Sequence, residues 1–255
     1  MRGDVGYCMI DFEGGGFEMP GAVSDEAVRV PILLSKWLTV TFVHWPVAPV
    51  VVQALLPAGL VVDRWDDEAW LTLAPFRMVD VGPPGPAALR RLTFPETNFR
   101  TYVRAPDGRA GIYFFAIEAV SALMTISARV AAGIPYRLGN LSVVSDAGVV
   151  SYGGARRDGS GAYRLDVRPG PPIVEPTPLD VWLTARWRAY SWHLGRLLET
   201  PVWHEPWPLS SATVEGLRET LSTSLGLPAA RTTDAVVHFS DGVRDVRIGA
   251  SRRAR

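Results

Sequence analysis

A stretch of alternating side chains between positions 94 and 104 constrains the fold of this chain more than any other feature. Its polar positions are Glu96, Asn98, Arg100, Tyr102 and Arg104. Because successive side chains of a β-strand point to opposite faces of a sheet, these five share one face. The pattern predicts a strand with an ionisable face in a chain of ordinary globular composition, with 47% hydrophobic and 20% charged residues. Such a face is a candidate functional site.

The residues that follow predict a hairpin and a helix. The Asp107-Gly108 pair is a hairpin turn signal, and residues 112 to 117 form a second strand that is apolar on both faces. A helix over residues 123 to 131 comes next, with a stop at Gly133. The stretch therefore predicts a polar strand, a tight turn, a buried strand and a helix.

Short strands are also predicted over much of the remaining chain. They cover residues 37–45, 60–65, 69–79, 141–144, 149–156, 162–168, 236–240 and 243–248, with a turn at Asp241-Gly242 between the last two. Pro75 cannot donate a hydrogen bond inside the third of these strands. That strand should therefore lie at a sheet edge or carry a bulge.

Three further helices are predicted. One covers residues 49 to 56, and a second begins near Thr177 and carries an aromatic stripe as far as Tyr190. A third begins at Ser210 or Ser211 and ends near Leu225. Many strands with few helices indicate an α+β fold built on a curved or closed antiparallel sheet with a few packing helices.

The length of 255 residues suits one large domain with a substantial core. We expect this domain over residues 33 to 250, after an extension over residues 1 to 32 and before a basic tail over residues 251 to 255. The extension contains three consecutive glycines at positions 14 to 16. This run is typical of a linker, because no strand and helix flank it as they flank a phosphate-binding loop.

Charge and cysteine content exclude several classes of function. The 26 basic and 26 acidic residues give a formal net charge of zero, so no basic surface for nucleic acid is expected. The longest apolar region, residues 47 to 62, is interrupted by proline and glycine and is too short to span a bilayer. Cys8 is the only cysteine, so no intrachain disulfide can form. We expect a reduced, cytoplasmic protein without nucleic-acid or membrane partners, and a homo-oligomer remains open.

Four segments resemble a known bacterial family. They are residues 94–103, 111–115, 43–47 and 204–209. They look like a family catalogued as a domain of unknown function and allied to the acetoacetate decarboxylases. The resemblance extends over most of the predicted domain. It implies the barrel-like fold of the acetoacetate decarboxylases.

The same resemblance bears on catalysis. In acetoacetate decarboxylases a lysine of a Gly-hydrophobic-Pro-Lys-Lys motif forms a Schiff base with the substrate. The corresponding segment here is Gly-Ile-Pro-Tyr-Arg, so Tyr136 and Arg137 occupy the two lysine positions. Neither side chain can form an imine. Lys36 is the only lysine of the chain and leads into a strand, where such a side chain is usually solvated. We therefore expect no Schiff-base chemistry.

The resemblance and the polar strand together define a candidate site. Its predicted catalytic residues are Glu96, Arg100, Tyr136 and Arg137, and its predicted substrate-binding residues are His44, Tyr102, Tyr113 and Glu118. The two arginines would hold a carboxylate and the glutamate at position 96 would move a proton. The tyrosine at position 136 would donate a hydrogen bond to a developing enolate oxygen.

Structural roles for several of these residues remain open. Glu96 and Arg100 could form an ion pair in the interior. Glu118 could bond loop amides at the end of its strand, and His44 lies on an apolar strand face that suits a core histidine. Structural roles are also expected for the other histidines, which are His193, His204 and His238.

The remaining sequence features exclude several types of catalytic site. Four histidines far apart in sequence and one cysteine disfavour a metal site, and neither a serine elbow nor a nucleotide-binding loop is present. The sequence predicts a cofactor-independent lyase or isomerase that decarboxylates, dehydrates or cyclises a small keto acid or polyketide-like carboxylate. The alternative is a non-catalytic protein that binds an acidic or aromatic small molecule between tryptophan and tyrosine walls.

Overall fold

A computed structural model describes residues 21 to 255, apart from the side chains of residues 123 and 124. Its strands are β1 (Leu33–Val47), β2 (Val61–Val62), β3 (Ala69–Gly82), β4 (Leu92–Arg104), β5 (Ala110–Ala119), β6 (Tyr136–Asp146), β7 (Val149–Arg156), β8 (Ala162–Pro172), β9 (Arg188–His193), β10 (Arg196–Trp203), β11 (Leu209–Glu219), β12 (Val236–Ile248) and β13 (Arg252–Arg253). Its helices are α1 (Pro49–Gln53), α2 (Ala122–Ala132) and α3 (Pro178–Thr184). Cys8 and the glycine run at positions 14 to 16 lie outside the described residues.

The strands belong to one sheet that closes on itself as a ring. The ring follows the order β5-β6-β7-β8-β11-β12-β1-β3-β4 and returns to β5. Pairing around it is antiparallel except at β5, which pairs in parallel with β6 and with β9. The predicted α+β fold on a closed, curved sheet is confirmed. The two parallel pairings are a departure from the purely antiparallel sheet that the sequence predicts.

Two strands of the ring, β5 and β12, each pair with two different strands along one of their edges. β5 pairs with β4 along one edge, while its other edge pairs with β9 at Ile112 and Tyr113 and with β6 from Ile117 onward. β12 pairs with β1 along one edge and divides the other between β11 and β10. As a result β9 and β10 cross the ring from β5 to β12, and they enclose a space against β1, β3 and β4.

Successive side chains of these strands point to opposite faces of the sheet, and both faces are buried. On one face, Val43 of β1 and Phe99 of β4 pack with Tyr152 of β7 in the main apolar core. On the other face, Phe42 of β1 and Phe76 of β3 belong to a second apolar cluster, which borders the enclosed space. Because the strands are buried on both sides, a polar residue on the second face has no access to bulk water.

Residues 209 to 219 form β11, so the helix predicted from Ser210 or Ser211 to Leu225 is wrong. This segment pairs with β8 along most of its length and with β12 over residues 209 to 211, and these pairings supply its backbone hydrogen bonds. Thr213 and Val214 are β-branched and fit a pleated strand better than a helix. A single turn of 3₁₀ helix at Thr223–Leu225 is what remains of the predicted element.

α3 ends at Thr184, earlier than its aromatic stripe predicts. Its predicted start is confirmed, because Thr177 and Asp180 form a capping box in which each side chain accepts from the other residue's backbone N–H. Residues 188 to 193 then form β9. The arginines at positions 186 and 188 are therefore two residues apart in extended chain rather than on a helix.

β12 is one continuous strand, where the sequence predicts a hairpin with a turn at Asp241-Gly242. Gly242 has a φ of +117°, and a Cβ there would collide with the carbonyl of Trp37 on β1. The glycine therefore allows close passage of two strands instead of a chain reversal. Pro75 lies in β3 where the pairing with β1 is interrupted between Leu38 and Val43, but the extra residue of this interruption is on β1, so an irregularity is present and β3 itself carries no extra residue there.

Segments at both ends of the described chain contact β9, β10 and the residue before β9. Trp187 donates from Nε1 to the carbonyl of Gly21 at 3.0 Å, and Arg188 pairs with Asp25 at 2.6 Å. Arg252, in the predicted basic tail, pairs with Glu26 and Glu199, each at 2.6 Å. Between residues 21 and 255, no helix has the length and apolar character needed to cross a membrane.

Candidate functional site

The space enclosed by the ring is a cavity of about 100 Å³. Apolar side chains of β1, β3 and β5 form most of its wall, among them Phe42, Phe76 and Phe114. Its polar lining consists of Glu96, Asn98, Arg100, Tyr136, Thr184, Arg186, Arg188, Thr200 and His204. A small apolar cavity with a few convergent polar groups is the usual form of a binding site for a small molecule.

Glu96 is buried in this wall at the centre of β4. The hydroxyl of Tyr136 donates to its Oε2 at 2.9 Å. Burial raises the pKa of Glu96 to about 8, the negative charge of Glu118 adds to the rise, and the bond from Tyr136 partly offsets it. Glu96 therefore carries a proton at neutral pH, which equips it to act as an acid.

Arg100 lies on the same face of β4 and is 8% exposed. Its Nε and Nη2 have no hydrogen-bond partner among the described residues, and its guanidinium lies 5.4 Å from the ring centre of Phe42. Burial lowers the pKa of Arg100, and only Tyr102 offsets that shift. A guanidinium remains protonated even so. Arg100 is thus a buried cation that the described chain does not neutralise, and an ion pair between Glu96 and Arg100 is not formed.

Tyr136 reaches the cavity because of the turn that precedes it. Gly133, at the end of α2, has a φ of +62°, and a Cβ there would lie 2.7 Å from atoms of His193. Only glycine fits such a left-handed position beside a neighbouring strand. Tyr136 then begins β6 opposite Ile117 of β5, and both side chains line the cavity. Burial raises the pKa of Tyr136 well above its usual value, so its hydroxyl stays protonated.

Five of the eight predicted site residues lie outside the cavity lining, and three of these, Arg137, Glu118 and Tyr113, contact other parts of the protein. Arg137 is partly exposed and lies 3.5 Å from Asp158, on the opposite face of β6 from its neighbour. Glu118 is buried against Arg156 at 2.7 Å. Tyr113 packs its ring against Phe115 of the same strand and is absent from the cavity lining. The structure therefore brings Glu96, Arg100 and Tyr136 together and leaves these three apart.

His44 and Tyr102 are fully buried behind the cavity wall. The Tyr102 hydroxyl donates to the carbonyl of Leu183 at 2.7 Å and lies 3.0 Å from Nδ1 of His44. Thr72 completes the group, 2.9 Å from the same ring nitrogen. Burial lowers the pKa of His44 well below its usual value, so the ring is neutral. The Nδ1 atom is hydrogen-bonded, whereas the buried Nε2 atom has no partner among the described residues, so only one of the two ring nitrogens of this core histidine is satisfied.

Arg186 and Arg188 line the cavity although sequence reasoning missed them. Arg186 donates from Nη1 to Asp63 at 2.8 Å and lies over the ring of Tyr102 at 4.8 Å. Arg188 pairs through Nη2 with Asp25. Their spacing of two residues would have indicated a shared strand face. The prediction of a helix as far as Tyr190 concealed that signal.

His204 also lines the cavity, although the sequence analysis predicts a structural role for it. Its ring packs among Trp37, Trp187 and Trp207. Its Nδ1 lies 2.6 Å from the carbonyl of Glu205, which can only accept, so Nδ1 carries the hydrogen and Nε2 keeps a free electron pair. Burial lowers the pKa of His204 to about 4. His204 is therefore neutral and supplies a hydrogen-bond acceptor at the cavity wall.

A search of residues 21 to 255 finds no group of three or more His, Cys, Asp and Glu side chains placed to hold a metal ion. The carboxylates of Asp63 and Asp25 pair with Arg186 and Arg188, and arginine does not bind metals. The cavity lining of the described chain thus combines one guanidinium without a carboxylate partner, Arg100, with two paired arginines and one protonated acid.

Comparison by sequence finds proteins of unassigned function. The family DUF2071, described as "Uncharacterized conserved protein", matches residues 35 to 244. A protein of Bacillus subtilis (strain 168), named "Uncharacterized protein YqjF", is 31% identical over 218 residues, which make up 82% of this chain and 87% of the relative.

Comparison by structure finds acetoacetate decarboxylase-like proteins. The acetoacetate decarboxylase of Legionella pneumophila aligns with a TM-score of 0.63 at 12% identity, over 97% of this chain and 98% of that one. The enduracididine biosynthesis enzyme MppR, complexed with pyruvate, aligns with a TM-score of 0.60 at 15% identity, over 90% and 93% of the two chains. An acetoacetate decarboxylase-like enzyme of Sphingomonas wittichii RW1 gives 0.55 at 17% identity, over 91% and 96%. At these identities the likeness shows a shared fold.

Proposed function

Because the chain belongs to the DUF2071 family and has the acetoacetate decarboxylase-like fold, we propose that it is an enzyme acting on a small keto acid or polyketide-like carboxylate. The reaction is a lyase or isomerase step, such as a decarboxylation, dehydration or cyclisation. It proceeds by proton transfer and anion stabilisation, without a Schiff-base lysine and without a cofactor.

The observation that carries this proposal is the buried, unneutralised guanidinium of Arg100 in the same small cavity as a protonated Glu96. A guanidinium matches the two oxygens of a carboxylate in geometry and charge. Leaving its N–H groups unpaired in the interior costs free energy, which a bound carboxylate would recover. An acid with a raised pKa beside such a site is suited to protonate a carbanion or enolate.

The residues take the following parts in the proposed reaction. Arg100 binds the substrate carboxylate and holds the keto group inside the cavity. Glu96 delivers its proton to the carbon or oxygen on which negative charge develops, and the solvent later restores the proton. Tyr136 orients Glu96, since its own hydroxyl hydrogen is directed at that carboxyl group. Arg137 has no part in binding the anion in this proposal, because it lies outside the cavity.

The structural neighbours support the size and type of the substrate. MppR has been solved in complex with pyruvate, a three-carbon keto acid. The cavity of this chain, at about 100 Å³, has room for a molecule of a similar class. A cytoplasmic location and assembly into a homo-oligomer stay predictions from the sequence.

The proposed function can be tested by incubating the protein with a panel of small 2-keto and 3-keto acids in D₂O. We expect protein-dependent deuterium incorporation, loss of carbon dioxide or a new product for at least one member, seen by proton NMR. The matched control is the same panel with Arg100→Met, which removes the cation and keeps the size of the side chain. Binding without any turnover would instead support the alternative of a non-catalytic binding protein.

Trapping with borohydride tests the absence of imine chemistry. Lys36 pairs with Asp80 at 2.6 Å, is partly exposed and is not part of the cavity lining. We therefore expect that incubation with a keto acid and borohydride leaves the intact mass of the protein unchanged, as measured by mass spectrometry. A substrate-dependent adduct mapped to Lys36 would contradict this. An adduct at the terminal amine alone would not, since that group is reactive near its ordinary pKa of about 8.

A further inference from the structure

His204 brings to the cavity a hydrogen-bond acceptor that the proposed function leaves unused. It follows β10 directly, is 3% exposed and lines the cavity. Its Nδ1 hydrogen is directed at the carbonyl of Glu205 at 2.6 Å, so the free electron pair is on Nε2. Within residues 21 to 255, Nε2 has no hydrogen-bond partner. Because the Nδ1 edge of the ring faces Glu205, the opposite edge, which carries Nε2, borders the cavity.

The ring of His204 is held in one orientation and one charge state. Its centre lies 5.7 Å from that of Trp37, 4.7 Å from that of Trp187 and 4.8 Å from that of Trp207. A turn of the ring would disturb these contacts and give up the bond to Glu205. Burial lowers the pKa of His204 to about 4, and the bond to Glu205 partly offsets that shift. The ring is therefore neutral at pH 7, where Nε2 can only accept.

Aromatic contacts connect this acceptor to the cation of the site. The guanidinium of Arg100 lies 5.4 Å from the ring centre of Phe42. Phe42 contacts Trp207 at 5.2 Å, and Trp207 packs on His204. The positive charge of Arg100 also contributes to the lowered pKa of His204. A ligand whose carboxylate is bound by Arg100 therefore has this acceptor close to the rest of its chain.

A ligand group that meets Nε2 must carry a hydrogen. A carbonyl or carboxylate oxygen there would face a second electron pair, and a buried acceptor without a donor costs free energy. An ammonium group is disfavoured because Arg100 is a cation and Glu96, protonated at neutral pH, offers no negative charge to pair with it. A hydroxyl group is uncharged and supplies the hydrogen that Nε2 can accept.

We propose that the substrate is a hydroxylated keto acid, with a hydroxyl group that donates to Nε2 of His204 while its carboxylate is bound by Arg100. This inference rests on the proposed function and names the substrate class of the same site. His204 is then a residue that determines specificity. Because Nε2 accepts and cannot protonate a leaving group, this hydroxyl serves recognition and is not the group on which Glu96 acts.

Binding of hydroxylated and unsubstituted acids to the unmodified protein tests the inference, by titration calorimetry at pH 7 and fixed ionic strength. The probes are butanoate and its 2-, 3- and 4-hydroxy derivatives, which place the hydroxyl at increasing distances from the carboxylate. We expect at least one hydroxy acid to bind about three- to tenfold more tightly than butanoate, the usual effect of one additional hydrogen bond. If none does, the partner of Nε2 is water alone and the inference is wrong.

Two substitutions test whether His204 is the acceptor. Asparagine can keep a donor near the position of Nδ1 but has no acceptor in place of Nε2, whereas glutamine can place its amide oxygen there. His204→Asn is expected to abolish the preference for the hydroxy acid without changing the affinity for butanoate, and His204→Gln to retain the preference. A preference that survives in His204→Asn would overturn the inference. His193→Asn, at a histidine outside the cavity lining, is the control and should leave the preference unchanged.

A measurement on the unmodified protein does not depend on the folding of these variants. With ¹⁵N-labelled histidine, the Nε2 resonance of His204 should move when the preferred hydroxy acid is added and keep its position when butanoate is added. An unchanged Nε2 resonance at saturation with the hydroxy acid would contradict the inference.

Failure of this inference and failure of the proposed function give different results. A protein that prefers a hydroxy acid through His204 but turns over no member of the keto-acid panel keeps the inference and loses the enzymatic proposal. A protein that turns over an unhydroxylated keto acid and shows no preference for a hydroxy acid keeps the enzymatic proposal and loses the inference.

Discussion

Replacing Glu96 with glutamine is expected to lower kcat by about 10²- to 10⁴-fold on the keto acid that the panel identifies, the usual contribution of a positioned acid or base. Glutamine keeps the size of the side chain and can still accept the bond from Tyr136, but it has no proton to transfer. Steady-state kinetics on the folded variant measure the effect. Glu215→Gln, at a surface ion pair, is the matched control and should leave kcat unchanged.

The same variant has a pH-dependent effect on stability that needs no substrate. The folded state holds a proton on Glu96 up to a pH of about 8, because burial raises its pKa from 4.5, whereas the unfolded chain releases it near 4.5. The folded state therefore loses stability as the pH rises from 4.5 to about 8, by up to about 1.4 kcal/mol per pH unit. Urea denaturation at several pH values measures this contribution as the difference between the two proteins, because the buried histidines titrate in both: the stability of the wild type should fall relative to that of Glu96→Gln as the pH rises.

Activity is expected to follow the same titration, falling as the pH rises through about 8, since only the protonated carboxyl group can act as the acid. The proposed roles would be wrong if both Glu96→Gln and Arg100→Met left turnover unchanged. If only Glu96→Gln lost activity, the role of Glu96 as the acid would be supported and the role of Arg100 in the mechanism would be wrong.

The sheet could be predicted where alternation of side chains was the dominant local signal. Residues 94 to 104 form a strand, and the side chains at positions 96, 98 and 100 line the cavity together. The prediction failed over residues 210 to 225, where apolar residues three or four apart also suit a helix. There, pairing with two neighbouring strands decided the outcome, and such long-range pairing leaves no trace in local spacing.

The candidate site was partly predictable for the same reason. Tyr136 lies opposite Ile117 in register, and both face the cavity, so Arg137 and Glu118, the next pair along, must face away. If a strand had been predicted for this segment, Arg137 and Tyr136 could not have been placed in the same site, because adjacent side chains of a strand point to opposite faces. The prediction treated the two as one motif carried over from the resemblance, and the motif alone does not show which face each residue takes.

Arg186 and Arg188 could not be predicted as cavity residues for a different reason. Arg186 lies between α3 and β9 and Arg188 begins β9, and this segment reaches the cavity because β9 pairs with β5, in which Ile112 lies 77 residues before its partner Ala189. Nothing local indicates that pairing. The buried aromatic residues at positions 182 and 187 made the segment resemble a helix, although the helix ends at Thr184.

Replacing Arg156 with methionine is expected to lower the free energy of unfolding by about 3–5 kcal/mol. Arg156 donates from Nε to Oε1 of Glu118 at 2.8 Å, and both side chains are 1% exposed. Burial raises the pKa of Glu118, and Arg156 is the group that most opposes this rise. Without it, Glu118 must either stay charged in the interior or take up a proton, and both cost stability.

Denaturation with urea measures this loss, and two further variants separate the pair from its surroundings. The double variant Glu118→Met with Arg156→Met is expected to be less destabilised than the sum of the single variants, because two apolar side chains leave no charge unpaired. Arg168→Met breaks a surface pair with Glu215 and should change the free energy of unfolding by less than about 1 kcal/mol. If Arg156→Met cost no more than Arg168→Met, the buried pair would stabilise the folded state no more than a surface pair does, and the expected penalty for an unpaired Glu118 would be wrong.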